Sequence, residues 1–153
     1  DELKSRGLGD VYKRQIEAEI GFLSEENKKR VIFESADIDF LLDPDDFSMI
    51  VRNLLRNACN YSEQNKKIDV NLFFYNSEIV LSIQDRGRGI SKADQARIFE
   101  RFYRVDKGRS RALGGTGIGL SIVKHAVERN NGDIQVKSNL GEGSEFIVKF
   151  FNT

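Results

Sequence analysis

The chain has 153 residues, enough for one domain with a sizeable core. Lysine plus arginine and aspartate plus glutamate balance at 24 each, so no net field draws the protein to nucleic acid or to a membrane surface. The single cysteine, Cys59, excludes an internal disulfide, and no apolar run approaches the roughly 18 residues of a membrane-spanning helix, so the expectation is an intracellular chain.

Residues 1–14 show no clear periodicity and carry two isolated glycines. They read as a disordered leader, native or vector-derived, ahead of a domain over 15–153. Ile16, Ile20 and Leu23 recur at helical spacing, followed by a charged run over 25–30. The apolar runs 31–33 and 38–42 read as two strands. Asp43 and Pro44 then make a helix start, with acids near its positive end. Phe47, Ile50, Val51, Leu54, Leu55 and Ala58 form the apolar face of that helix, where Cys59 is a small packed residue.

Alternation of Ile68, Val70, Leu72 and Phe74, and of Ile79, Leu81 and Ile83, predicts a hairpin turning at 75–78. Residues 93–102 read as a short helix, 104–115 as a basic flexible loop, and 118–129 as a second clear helix. A last hairpin joins 134–139 to 144–151 through Leu140-Gly-Glu-Gly143. The order β-β-α-β-β-α-loop-α-β-β, without regular βαβ crossovers, predicts an α+β fold: a mixed, mainly antiparallel sheet with helices on one face.

Four short motifs follow in order. Asn53, Asn57 and Tyr61 are spaced four apart on one helix face, with Asn60 beside them. Amide oxygens are hard neutral donors that suit a Mg²⁺ held mainly by phosphate and water. The same face also fits an ordinary polar helix surface. Asp85-x-Gly87-x-Gly89 closes a strand. Its carboxylate accepts hydrogen bonds, as an exocyclic adenine amine requires, and its glycines admit a ligand to the backbone; a plain Asp-Gly turn fits equally. Phe99-x-x-Phe102 precedes Arg104, Lys107, Arg109 and Arg111, either a cationic lid over a polyphosphate or a solvated charge run. Gly115-x-Gly117-x-Gly119 runs into a helix, where backbone N–H groups and the helix dipole favour phosphate; a flexible hinge is the alternative. No Gly-Lys-Ser/Thr follows, and the spacing is not the dinucleotide fingerprint.

In that order these motifs resemble the catalytic, ATP-binding domain of bacterial sensor histidine kinases, within the GHKL superfamily, over residues 15–151. NLLRNACNYS resembles the N box, DRGRGI the first glycine box, IFERFYRVD the F box, GGTGIGLSIVK the second glycine box and GEGSEF the last glycine motif. The resemblance implies a two-layer α/β sandwich covered by about three helices, with ATP and Mg²⁺ between the N-box helix and a lid. It implies that Asn57 is the Mg²⁺ ligand, that Asn53 and Arg104 serve catalysis at the phosphates, and that Asn60 lies in the ATP site. Tyr61 would lie against adenine and Asp85 would bond its amino group, with Gly87, Gly89 and Ile90 around the base. Gly115, Thr116, Gly117, Gly119 and Leu120 would present backbone to the phosphates, and Ser144 would help hold adenine.

Two positions depart from the pattern. Residue 60 is Asn where the family often has Lys, which weakens the hold on phosphate. Residue 53 is Asn where the gyrase, chaperone and mismatch-repair branches carry a water-activating Glu. An amide is no general base, so phosphotransfer is favoured over hydrolysis. His125, the only histidine, falls inside a helix and reads as a structural or surface residue. The resemblance therefore implies an acceptor histidine on a separate dimerisation domain, with residues 16–30 resembling the linker to it. A response regulator is the further partner, and this chain alone is expected to be monomeric. The implied setting is a cytoplasmic domain of a sensor whose relatives are mostly membrane-bound. Two alternatives share the pocket: a serine kinase of the anti-sigma type, and a non-catalytic module that senses ATP.

Overall fold

Period-two alternation makes Ile68, Val70 and Leu72 the inward face of a strand, and in the computed structural model all three are buried. The structure describes residues 2–37, 41–103 and 119–151, with backbone alone over 2–10. In chain order the elements are α1 (Glu2–Gly21), α2 (Glu25–Lys28), β1 (Val31–Ser35), α3 (Pro44–Tyr61), β2 (Ile68–Tyr75) and β3 (Glu78–Gln84). They continue with α4 (Lys92–Gln95), α5 (Gly119–Arg129), β4 (Gly132–Asn139) and β5 (Gly143–Phe151).

The five strands form one sheet in the order β1-β2-β3-β5-β4. The β2–β3, β3–β5 and β5–β4 pairs are antiparallel. Asn76 and Ser77 both take positive φ, 51° and 66°, at the tip of the β2–β3 hairpin, the twist a two-residue hairpin turn needs. One face of the sheet carries the core in matched rows: Leu72, Leu81 and Val148 align across three strands, as do Val70, Ile83 and Phe146. Against them lie Phe47, Ile50, Val51, Leu54, Leu55 and Ala58 of α3, and Val123, Ala126 and Val127 of α5. Helix α1 packs on α3, α3 on α5 and β3, and α5 on β4. This is the expected α+β arrangement, with three helices on one face of an open, mainly antiparallel sheet.

Helix α3 starts where the sequence predicts. Asp43 is its N-cap and accepts from the Asp46 amide at 2.9 Å, and Pro44 follows in the first turn. Four expectations change. Helix α1 extends back through the stretch read as a disordered leader. Tyr12 and Ile16, one turn apart, are buried in the core, and the Leu42 amide donates to the Tyr12 hydroxyl at 2.7 Å. That ordering comes from tertiary contact, which periodicity does not reveal. The second predicted strand, 38–42, falls partly outside the described residues, and Leu41 and Leu42 are not in a strand. One βαβ crossover exists after all: β1 and β2 pair in parallel because α3 carries the chain back over the sheet. Finally, the predicted helix over 93–102 is helical only at Lys92–Gln95. Beyond it, Glu100 and Tyr103 bond three residues back, and Phe102 takes φ 68°, which breaks the ladder.

The two long interior helices are tied at opposite ends. Arg129, in the last turn of α5, makes a two-pronged pair with Asp46 in the first turn of α3, at 2.7 and 2.9 Å. The Asn130 amide adds a bond to Asp46 at 2.8 Å and accepts from the Asp43 amide at 3.1 Å. Each charge sits at the helix end whose dipole favours it. The Arg129 bond, reinforced by Asn130, holds the Asp46 carboxyl below the usual aspartate range against a smaller effect of burial. A depressed carboxyl pKa gives stability that is present above the unfolded value and lost as pH falls through the folded one. Arg129→Gln should therefore melt at a lower temperature than the parent near about pH 7, and the gap should close towards about pH 3. Melting curves with a gap independent of pH would contradict this assignment.

Candidate functional site

The polar face of α3 is set by its apolar one. Once Ile50, Leu54 and Ala58 point into the core, Asn53, Asn57, Asn60 and Tyr61 lie half-buried along the helix flank. The Asn53 amide donates back to the Met49 carbonyl at 2.8 Å, which fixes the side chain and turns its oxygen outward. A Cβ on Gly119 would lie 3.1 Å from that oxygen, so the first residue of α5 sits directly against Asn53. The N-terminal end of α5 and the amide face of α3 are thus one place in space, although 66 positions separate Asn53 from Gly119 in the chain (119 − 53).

The loop after β3 reaches the other end of α3. Asp85 is only 4% exposed, and its Oδ1 accepts from the amides of Gly87 at 2.9 Å and Ser144 at 3.2 Å. The Asp85 amide donates to the Ser144 carbonyl at 2.8 Å, so the carboxylate is locked to the start of β5. Burial pushes the Asp85 carboxyl above the usual range, and the two amides oppose that rise without cancelling it. Gly87 makes an antiparallel bridge with Ser62, directly after α3. A Cβ there would stand 1.9 Å from the Tyr61 carbonyl oxygen, so only glycine allows the contact. Gly89 takes φ +79°, and a Cβ on it would lie 2.1 Å from the Asn139 carbonyl of the last hairpin.

Sequence reasoning missed Ser138, which organises this corner from β4. Its hydroxyl accepts from the Ile90 amide at 2.8 Å, donates to the Gly143 carbonyl at 2.8 Å and lies 2.9 Å from the Ser144 hydroxyl. Gln95 bonds the carbonyls of both Ile90 and Ser138, at 2.7 and 3.1 Å. No motif marks these residues; only the closure of the β4–β5 hairpin over the loop brings them in. Beyond α4, Phe99 packs edge-on to Phe146 in the core, and the Tyr103 hydroxyl donates to Asp94, itself bonded to Ser91.

The structure therefore gathers Asn53 with Gly119, and Tyr61 with Asp85, Gly87, Gly89, Ile90 and Ser144, through direct contacts and shared bonds. Asn57 and Asn60 lie between these two groups on α3, and Leu120 packs against the core beside Gly119. Arg104, Gly115, Thr116 and Gly117 lie outside the described residues. His125 is exposed on α5 while Val123, Ala126 and Val127 face inward, in keeping with a surface residue. Cys59 is half-buried against the core, where burial raises its thiol pKa.

Residues 42–153 match the family described as histidine kinase-, DNA gyrase B-, and HSP90-like ATPase. The chain belongs to this family. Membership makes this an ATP-binding domain. The signal transduction histidine-protein kinase ArlS of Staphylococcus aureus (strain USA300) is 34% identical over 98% of this chain, which spans 36% of the length of that relative. Among solved structures, the mycobacterial sensor histidine kinase MprB is similar with TM-score 0.73 and 24% identity, covering 94% of this chain and 93% of its own. The catalytic domain of the histidine kinase ThkA is similar with TM-score 0.76 and 23% identity, covering 90% of each chain. These structural likenesses establish the fold.

The raised Asp85 pKa has a consequence for stability. A carboxyl whose folded pKa is raised favours folding below its unfolded value, and that contribution is lost as pH rises through the folded value. Asn at this position keeps an oxygen for the Gly87 and Ser144 amides and carries no charge to desolvate. Asp85→Asn should thus melt at or above the parent's temperature near about pH 7, with the difference shrinking as pH falls. Calorimetric melting that shows a clear loss of stability near neutrality would count against a desolvated carboxylate.

Proposed function

We propose that the protein binds Mg-ATP and donates the γ-phosphate to a histidine on a separate dimerisation domain of a two-component sensor kinase, from which a response-regulator aspartate would receive it. The observation that carries this reading is the Ser62–Gly87 bridge, which closes a buried carboxylate onto the end of a helix lined with amides. In this arrangement Asp85 accepts from the adenine amino group, with Tyr61 against the ring, Gly87, Gly89 and Ile90 giving it room, and Ser144 holding the carboxylate in place.

The donor set suits Mg²⁺ of a particular kind. Among the described residues no three His, Cys, Asp or Glu side chains converge as a metal cage. A Mg²⁺ that keeps phosphate and water ligands and takes the Asn57 amide oxygen fits such a surface. When bound, the ion neutralises charge on the phosphates. Asn53 positions phosphate from the same helix face, Gly119 and Leu120 offer backbone N–H groups at the start of α5, and Arg104, Gly115, Thr116 and Gly117 complete the phosphate side. None of these groups is a base for water, so the chain's contribution is positioning and charge stabilisation. Residues 16–30 act as the link to the dimerisation domain, and the chain works as a cytoplasmic part of a larger sensor.

The test supplies a histidine-bearing hairpin domain in trans with ATP labelled at the γ-phosphate. ATP should bind with a dissociation constant of about micromolar to millimolar. Asn57→Ala should lower transfer by roughly 100-fold or more, while His125→Ala should leave it intact. Label appearing on His125 would overturn the proposed acceptor. Binding without transfer to any histidine would favour the sensing module, and a folded protein that binds no nucleotide would sink the reading altogether.

A further inference from the structure

Arg30, between α2 and β1, is 7% exposed, and its hydrogen bonds run to neutral oxygens. Its Nε donates to the Lys66 carbonyl at 3.0 Å, and its terminal nitrogens donate to the Glu63 carbonyl at 2.9 Å, the Cys59 carbonyl at 3.4 Å and the Asn27 side-chain oxygen at 2.9 Å. A buried guanidinium is costly unless its donors are met, and here three of the acceptors are main-chain carbonyls at one place. Cys59 lies in the last turn of α3, the negative end of the helix dipole, and Glu63 and Lys66 lie in the loop that follows. The guanidinium therefore staples the end of α3 to its own exit loop.

That exit loop is also one wall of the ATP site. Ser62 bridges Gly87, the Glu63 amide donates to the Arg86 carbonyl at 3.3 Å, and the Arg86 amide donates to the Ser62 hydroxyl at 3.1 Å. Glu63 is thus held on its carbonyl side by Arg30 and on its amide side by the loop carrying Asp85. Residues 63–67 are all exposed, so core packing does not fix their path. Hydrogen bonds do: Arg30 holds the Glu63 and Lys66 carbonyls, and the Arg86 side chain donates to the Lys67 carbonyl at 2.7 Å.

We propose that Arg30 is a positioning residue for nucleotide binding: by gathering the Cys59, Glu63 and Lys66 carbonyls it sets the spacing between the Asn60–Tyr61 end of α3 and the Asp85 loop. The inference rests on the ATP reading above and adds a residue that touches no part of the nucleotide. Its partner Asn27 belongs to α2, whose N-cap Ser24 accepts from the Asn27 amide, so the position of α2 is transmitted to the pocket through the same guanidinium.

Lysine at position 30 keeps the charge but cannot span three carbonyls. Calorimetry at a temperature well below melting should show Arg30→Lys binding Mg-ATP and Mg-ADP about tenfold more weakly than the parent, by the same factor for both. An equal factor is expected because the displaced wall faces the base rather than the γ-phosphate. Asn27→Ala should weaken binding in the same sense by a smaller factor. A merely structural role lowers the melting temperature and leaves both dissociation constants unchanged, and that result for Arg30→Lys overturns the inference. If Arg30→Lys does not fold, unchanged binding by folded Asn27→Ala overturns it instead. A parent chain that binds neither nucleotide defeats the ATP reading itself, whereas a parent that binds and variants that match it defeat only the role of Arg30.

Discussion

A Cβ on Gly87 would overlap the Tyr61 carbonyl oxygen at 1.9 Å, so the loop after β3 and the end of α3 can meet only as backbone on backbone. Everything that follows in the site depends on that closeness. It seats Asp85 beneath the helix end and brings the Arg86 amide to Ser62. It also leaves the Asp85 carboxylate buried, with two amides of the chain as its partners. Any side chain at position 87 would push the two halves of the cleft apart.

Around that contact the fold supplies fixed distances. The rows of Leu72, Leu81 and Val148 hold β3 between its neighbours, so the end of β3 always delivers Asp85 to the same point. Helices α3 and α5 are held together by Asp46, Arg129 and Asn130 where α3 begins and α5 ends, and Gly119 at the start of α5 lies against Asn53 midway along α3. A buried carboxylate and a row of half-buried amides are expensive to keep for packing alone. They are the groups on which the proposed ATP site rests.

The departures from expectation share a cause. Tyr12 and Ile16 are buried because α3 and Leu42 offer them a surface, a long-range fact that a stretch of weak periodicity does not show. The parallel pairing of β1 with β2 is decided by where α3 lays the chain down, and two short apolar runs look the same in either direction. Ser138 and Gln95 have no motif because their partners are main-chain groups brought near by hairpin closure. Arg30 looks in sequence like one more member of a charged run over 25–30, yet it is the member turned inward.

The sequence by itself determined the elements whose signal is local and periodic: α3 with its Asp43 cap, the β2–β3 hairpin with its Asn76–Ser77 turn, and the order of the Asn, Asp-Gly and Gly-rich motifs. Those follow from side-chain spacing, capping chemistry and φ preference, which act over a few residues. Only the tertiary structure decided that Asn53 faces Gly119, that Asp85 is buried against Ser144, and that Arg30 holds the loop that follows α3. These are contacts between residues far apart in the chain. They exist because burial of one apolar sheet face forces three helices and five strands into a single arrangement.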